Sequence, residues 1–221
     1  MSNSYAPGAR TTPTRSLARV GYDRDAVHRV LDEALVCHVG FVVDGDPVVL
    51  PQLHARSGDQ LYLHGSTGAR ALRQARDGGL QVCVTATLLD GLVLARSAFH
   101  HSVNYRSVVA HGLAVAVDDD DEKAFALSVL VDAVVPGRST ASRAPSRKEL
   151  AATTVLRLDL DEVSLKIRMG PPVDDLEDMD LPYWAGVLPL QTSTGVPEPD
   201  PAARVPVEVP EHVTQWTRSG S

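Results

Sequence analysis

A glycine-rich turn with nearby arginines is the first part of the sequence that suggests ligand binding. The letters YLHGSTGAR place Ser66, Thr67 and Gly68 after an apolar run, and Arg70 follows at the start of a helical pattern. Backbone N–H groups, small hydroxyls and guanidinium groups at a helix N-terminus bind phosphate. The turn lacks the Lys-Ser/Thr ending of a Walker loop and the GxGxxG of a parallel dinucleotide fold. We therefore predict a phosphate site here, with a glycine-rich turn that binds nothing as the alternative.

A second candidate is the run of polar side chains in RSAFHHSVNYRSVVAHG, which separates two apolar segments. A buried polar group costs roughly 1–3 kcal/mol unless it finds a partner. The run therefore indicates either a polar ligand held at this place or a solvated hairpin tip. Its candidate residues are His100, Asn104, Tyr105, Arg106 and Ser107.

The motifs of the sequence give little support to a metal site or to a catalytic nucleophile. The chain has eight histidines, but it has no HExxH motif, and His100 and His101 would face opposite ways on a strand. There is no GxSxG nucleophile motif. The two cysteines, Cys37 and Cys83, lie in apolar segments, which favours reduced structural thiols. A phosphorylated organic cofactor therefore accounts best for the predicted phosphate loop.

Composition limits the class of protein. The chain has 221 residues, of which 43% are hydrophobic and 22% charged, as in an ordinary globular domain. Its net charge of −7 argues against nucleic acid as a partner. No apolar run approaches the roughly 20 residues that cross a bilayer, and the N-terminus has no signal-peptide pattern. These features predict a cytoplasmic protein without a membrane or nucleic-acid partner.

The periodicity predicts more strands than helices. A helix begins after Asp23, and Asp-Gly turns then separate three antiparallel strands. A second helix ends at Gly78 and Gly79, and a second hairpin turn is predicted at Asp90 and Gly91. One more strand, an acidic-capped helix from DDDDEK and two final strands follow. The expected fold class is mainly β (α+β), an antiparallel barrel with flanking helices.

Composition also predicts the domain boundaries. Residues 1–20 are expected to be disordered or draped over a partner, 21–170 to form the barrel, 171–200 to be an ordered extension and 201–221 a flexible tail. The extension contains the apolar letters LPYWAGVLPL, so it is not expected to float free. It either packs on its own subunit, or it lines a site or crosses to a partner.

The order of these segments resembles a known family. From about Tyr22 to Pro199, the helix, VCHVGFVVDGDPVVLPQLH, LYLHGSTGAR, the polar run, SLKIRMGPP and LPYWAGVLPL are similar to the flavin-nucleotide-binding branch of the pyridoxamine 5′-phosphate oxidase-like proteins, relatives of nitroimidazole-resistance proteins. The resemblance implies an FMN-binding split β-barrel that forms a homodimer with FMN at the subunit interface.

The resemblance also implies the cofactor-binding residues. Beside the isoalloxazine ring it places Pro51, Gln52, Leu53 and His54. For the FMN phosphate it implies Ser66, Thr67 and Arg70. At the border of the flavin, from the second subunit, it implies Asn104, Tyr105, Arg106 and Ser107. The late elements that close the site are Lys166, Arg168 and Trp184.

The catalytic residues stay unknown, and His64 and His100 are the candidates for contact with substrate, with structural histidines as the alternative. The segment KIRMGPP lacks the Arg-and-His pair with which authentic pyridoxamine phosphate oxidases bind substrate, so that activity is not expected. Two function classes remain. One is an FMN-dependent oxidoreductase that takes electrons from NAD(P)H and reduces a small nitroaromatic or quinone acceptor. The other is a flavin-binding module without turnover, and a deazaflavin or haem ligand is a third possibility within the fold.

Overall fold

The computed structural model describes residues 3–15, 17–67, 75 and 78–216. In these ranges the helices are α1 Arg24–Glu33, α2 Asp120–Val134, α3 Arg147–Ala152 and α4 Glu211–Thr214. The strands are β1 Val20–Gly21, β2 Val36–Val43, β3 Asp46–Ser57, β4 Gln60–Ser66, β5 Leu80–Leu94, β6 Ser102–Ala116, β7 Thr153–Asp159, β8 Glu162–Arg168 and β9 Gly186–Pro189. The helix expected after Ser66 lies mostly outside the described residues.

The strands form one antiparallel sheet that closes on itself. Its order is β1-β8-β6-β7-β4-β3-β2-β5-β9, and β5 also pairs with β6. Strands β2 to β7 therefore make a closed barrel, while β1, β8 and β9 extend it at the sides. Strand β6 is long enough to pair with β5 along one edge and with both β8 and β7 along the other. The mainly β barrel with flanking helices that the sequence predicts is confirmed.

Turn chemistry explains one predicted hairpin, and the strand pairing corrects another. Asp44 and Gly45 have φ of 52° and 90°, as the predicted Asp-Gly hairpin between β2 and β3 requires. The predicted turn at Asp90 and Gly91 is wrong. Strand β5 continues through both residues with an irregularity between Leu89 and Gly91, because β6 pairs along one edge and β9 along the other. Partners on both edges keep the chain extended where the dipeptide alone favours a turn.

Two helices pack on opposite sides of the barrel wall. The Asp23 carboxylate accepts a hydrogen bond from Ala26 N at 2.8 Å, which confirms the predicted start of α1. The apolar face of α1, including Val27 and Leu31, is buried in the main core inside the barrel. Helix α2 buries Ala126 and Leu130 in a second, smaller core against β3, β4 and β7. The wall formed by these three strands is therefore covered from outside by α2.

The N-terminal segment packs on its own barrel. Tyr5 is 3% exposed, and its hydroxyl lies 3.0 Å from His28 Nε2 and 3.1 Å from Asp59 Oδ1. Arg10 forms a two-bond ion pair with Glu162, with both distances 2.7 Å. This segment therefore contacts residues from both ends of the barrel sequence.

The two cysteines are free, as predicted. Burial raises the pKa of the Cys37 thiol to about 12, so this thiol stays protonated at neutral pH. Across the described ranges, the helices are too short or too polar to span a membrane.

Candidate functional site

The predicted phosphate loop begins at the end of β4. Ser66 pairs with Thr153 of β7, and the Thr67 backbone N–H donates to Ala152 O at 3.2 Å. The Thr67 N–H is therefore already used by the protein, while Ser66 is exposed. Arg70, the predicted cation of this loop, lies outside the described residues.

The ring-side segment on β3 presents two different faces. Pro51 and Leu53 are exposed, Leu53 at 37%, and Gln52 is half-buried. His54 is 3% exposed, and its Nε2 lies 2.9 Å from Leu31 O in α1. Burial lowers the pKa of His54, so this imidazole is neutral at neutral pH and anchors β3 to α1. Pro51 and Leu53 are thus the members of this segment that remain available on the surface.

Arg106 on β6 is held by two carboxylates that sequence reasoning did not find. Its Nη2 lies 2.8 Å from Glu33 Oε1 and 2.7 Å from Asp90 Oδ1. These hydrogen bonds, first to Asp90 and then to Glu33, raise the pKa of Arg106. The sequence predicts a turn at Asp90, and Glu33 ends a helix 73 residues away from Arg106 along the chain, so local spacing predicts neither pairing.

A cavity of about 450 Å³ lies beside this ion-paired cluster, which we call the arginine cavity. It is lined by Arg106, Glu33, Asp90 and Leu190, the last of which follows β9. Ser107 lies next along β6 and bonds Thr87 Oγ1 at 2.9 Å, opposite Lys166 of β8.

Asn104 and Arg168 have a local structural role in this protomer. They are 8% and 7% exposed, and the Arg168 guanidinium donates to Asn104 Oδ1, to Gly170 O at 3.0 Å and to Pro171 O at 3.1 Å. Burial lowers the pKa of Arg168. The pair fixes the chain where it leaves β8, and Tyr105 lies opposite Arg168 in the strand register.

The C-terminal extension carries Trp184 and reaches His100. Trp184 is 69% exposed, and its ring covers Gly186, where an added Cβ would meet the indole at 2.8 Å. His100 Nε2 lies 3.1 Å from Asp175 Oδ2. The extension therefore pairs with β5 through β9 and holds an exposed indole at the surface.

His64 on β4 faces a second cavity, of about 530 Å³, between the barrel wall and α2, which we call the α2 cavity. Its lining is mainly apolar and includes Leu53, Leu127 and Val131. His64 Nδ1 is buried and has no hydrogen-bond partner within the described ranges, and burial lowers the pKa of the imidazole. A neutral imidazole in an apolar cavity is suited to binding a metal centre.

The predicted site residues therefore fall into two groups within one protomer. His64 and Leu53 line the α2 cavity, and Arg106 lines the arginine cavity. Neither the arginine cavity nor the α2 cavity is lined by both groups among the described residues.

Comparison with known proteins places the chain among related sequences and folds. The family model described as pyridoxamine 5′-phosphate oxidase matches residues 23–167. A search of curated protein sequences returns no match.

Two solved structures are similar over nearly the whole chain. The flavocytochrome Anf3 from Azotobacter vinelandii is 40% identical, with 95% of this chain and 97% of that chain covered and a TM-score of 0.88. An FAD and haem binding protein from Mycobacterium smegmatis is 38% identical, with 90% and 98% covered and a TM-score of 0.85. A protein described as a 5-nitroimidazole antibiotic resistance protein from Bacteroides thetaiotaomicron shares the fold, at 22% identity over 67% and 86% of the chains and a TM-score of 0.55.

Proposed function

The chain belongs to the pyridoxamine 5′-phosphate oxidase family, and from this premise we propose that it is a flavin-dependent oxidoreductase that also binds haem. The observation that carries the proposal is 40% identity to a flavocytochrome with 95% of this chain covered. The mycobacterial relative, whose description names FAD and haem, adds support at 38% identity. In both cases the coverage extends well beyond residues 23–167 of the family match, and for the flavocytochrome it takes in part of both the N-terminal and the C-terminal segments.

The flavin is proposed to bind where the sequence predicts its phosphate, at the turn after β4. Ser66, Thr67 and Arg70 are the proposed phosphate ligands, and the exposed Pro51 is the proposed surface beside the ring. The family resemblance predicts FMN, whereas the mycobacterial relative is named for FAD. Acid release of the cofactor followed by chromatography distinguishes the two nucleotides.

A bound flavin supplies hydride acceptance from a reduced nicotinamide, and a bound haem supplies one-electron transfer. This chain's residues would contribute binding and charge. Arg106 is already neutralised by Glu33 and Asp90, so Lys166, which has no ion pair in the described part of the chain, is the better candidate to stabilise negative charge beside a reduced cofactor. The proposed electron acceptor is a small nitroaromatic or quinone.

A homodimer completes the proposal. Within one protomer the exposed Pro51 does not line the arginine cavity, to which Arg106 of β6 contributes. A second copy related by two-fold symmetry would bring the β6 group and Trp184 of one subunit to the β3–β4 surface of the other. The exposure of Leu53 and Trp184 is in keeping with such a contact.

The test begins with the absorption spectrum of the purified protein, which we expect to show both flavin and haem bands. Anaerobic addition of NADPH should then bleach the flavin, and a quinone or nitroaromatic should restore it over repeated cycles. A non-catalytic flavin-binding module would show the flavin bands without acceptor-stimulated NADPH consumption. A colourless protein that takes up neither flavin nor hemin would overturn the proposal.

A further inference from the structure

The α2 cavity has the size and character of a cofactor site. Its volume of about 530 Å³ lies within the ~300–1,000 Å³ typical of ligand pockets. Leu53 lines it from the barrel wall, and Leu127, Val131 and Val134 line it from α2. The described lining therefore resembles an apolar slot between a helix and a sheet, which suits a large flat ligand with little polar surface.

His64 is a polar side chain of this cavity whose burial is not explained by a hydrogen bond to any described residue. Side chains alternate along β4, so His64 lies on the same face as Tyr62, which packs against α2. His64 makes no hydrogen bond to any described residue, and its buried Nδ1 has no partner. A buried polar atom without a hydrogen-bond partner destabilises the folded state, so its presence here indicates a missing partner.

His54 provides a comparison on the neighbouring strand. It also has a buried Nδ1 without a partner in the described ranges. Its Nε2, however, is bonded to Leu31 O at 2.9 Å, which accounts for its burial as a structural contact. No such contact exists for His64 within the described residues.

The surroundings of His64 distinguish between possible ligands. A bare zinc ion needs three or four protein ligands, and the described lining of this cavity adds only Glu149, whose carboxylate is held by Arg143 and Ser146 N. A flavin needs hydrogen-bonding groups along its pyrimidine edge, and the hydroxyls of this lining already donate to groups of the protein: Ser128, Ser139, Ser142 and Thr153. The porphyrin of a haem supplies four nitrogen ligands to the iron, so the protein needs to supply only an axial ligand and an apolar slot.

The rim of the cavity supplies a cation. Arg143 is 69% exposed there and bonds Glu149 Oε1 at 2.8 Å. Its guanidinium can pair with the carboxylate groups at the polar edge of a haem, because an exposed ion pair of this kind exchanges partners at small cost.

We propose that the α2 cavity is the haem site and that His64 is the axial ligand of the iron. This inference rests on the haem of the proposed function and assigns it to named residues. Beside His64, the described lining holds no second imidazole, thioether or thiolate.

The test compares the full-length protein with His64→Gly and the control His111→Ala after saturation with hemin and removal of the excess. His111 is a half-buried histidine on β6 whose pKa is also lowered by burial, and it lines neither the α2 cavity nor the arginine cavity. We expect His64→Gly to lose haem affinity by about tenfold or more, since even outer-shell changes at metal sites cost 10–100-fold. His111→Ala should keep the wild-type haem content.

Two measurements distinguish the loss of the haem ligand from the loss of folded structure. Flavin content and near-ultraviolet circular dichroism should be unchanged in His64→Gly, and added imidazole should restore its Soret band. Retention of a wild-type Soret spectrum by His64→Gly would overturn the assignment while leaving haem binding intact. A wild-type protein that takes up no hemin would instead overturn the haem part of the proposed function, and the site with it.

Discussion

Arg106 shows how a side chain predicted to border a ligand can be occupied by its own fold. It lies between the carboxylates of Glu33 and Asp90, and all three side chains are about a quarter exposed or less. Two like charges this close repel unless a cation lies between them. The guanidinium therefore holds the end of α1 to β5, and its first role is structural.

We expect Arg106→Ala to lower the free energy of unfolding by roughly 1.5–3 kcal/mol, because two partly buried carboxylates lose their shared partner. Urea unfolding followed by circular dichroism measures the change. The matched control is Arg10→Ala, whose ion pair with Glu162 is 47% and 43% exposed and should be worth no more than ~1 kcal/mol. Equal losses of unfolding free energy in the two variants would show that the ion pairs of Arg106 contribute no more to stability than the exposed ion pair of Arg10.

At the residue scale, local contacts were predictable from the sequence, whereas contacts between distant residues were not. Asp23 as a helix cap follows from local spacing, and the hydrogen bond to Ala26 confirms it. The pairing of Arg106 with Glu33 joins residues 73 apart, and the burial of Asn104 against Arg168 joins residues 64 apart. Such contacts depend on the closure of the barrel, which no local pattern encodes.

At the scale of elements, the pairing of β9 with the edge of β5 depends on a glycine. Gly91 lies opposite Pro189 in the antiparallel pairing of β5 with β9. A Cβ added to Gly91 would lie 3.0 Å from Val187 Cγ1 and 3.2 Å from Leu188 O. The absence of a side chain thus lets the C-terminal extension pair with β5 through Gly186–Pro189. The Asp-Gly dipeptide, which predicted a turn, serves this close approach instead.

Gly91→Ala should loosen β9 while the barrel stays folded, because the new methyl group contacts a backbone oxygen that has little room to move. We expect the Val187 and Leu188 amides to exchange with solvent about tenfold faster, which corresponds to ~1.4 kcal/mol of lost local stability. Hydrogen exchange with mass spectrometry measures this. Gly195→Ala, where an added Cβ meets nothing within 4 Å, is the control. Unchanged protection of β9 in Gly91→Ala would contradict the prediction.

Most elements of the fold were predictable from the sequence, because their signals are local. The Asp44-Gly45 turn, the first turn of α1 and the acidic start of α2 are each decided by a few neighbouring residues. The short strands β1 and β9 were not predicted. Each is only two to four residues long and is extended because a partner strand is present.

At the scale of the whole molecule, the β2–β3 hairpin carries apolar side chains that the protomer does not cover. Val42, Val49 and Leu50 are 54%, 63% and 48% exposed. Beyond Gly40, β2 pairs with β3 alone, so the tip of this hairpin extends past the barrel. We expect a second copy of the chain to cover it, as the proposed homodimer requires.

Light scattering at micromolar concentration should therefore give twice the chain mass of 23.6 kDa. Val49→Lys should raise the dimer dissociation constant by about tenfold or more, because a charge would be placed in an apolar contact. Val196→Lys, at a position that is 89% exposed in the C-terminal segment, should leave the mass unchanged. A wild-type mass of 23.6 kDa would remove the dimer from the proposal.

The docking of the N-terminal segment also sets an order of events during synthesis. Arg10 is paired with Glu162, which lies 152 residues later, and Val20 pairs with Lys166 in the register of β1 and β8. A ribosome adds about 5–20 residues per second, so Glu162 is made roughly 8–30 s after Arg10. Through that interval the segment has no β8 to pair with. Arg10 and β1 are thus translated early but are among the last parts of the chain to reach their native contacts, and the nascent chain is open there to proteases and chaperones until β8 emerges.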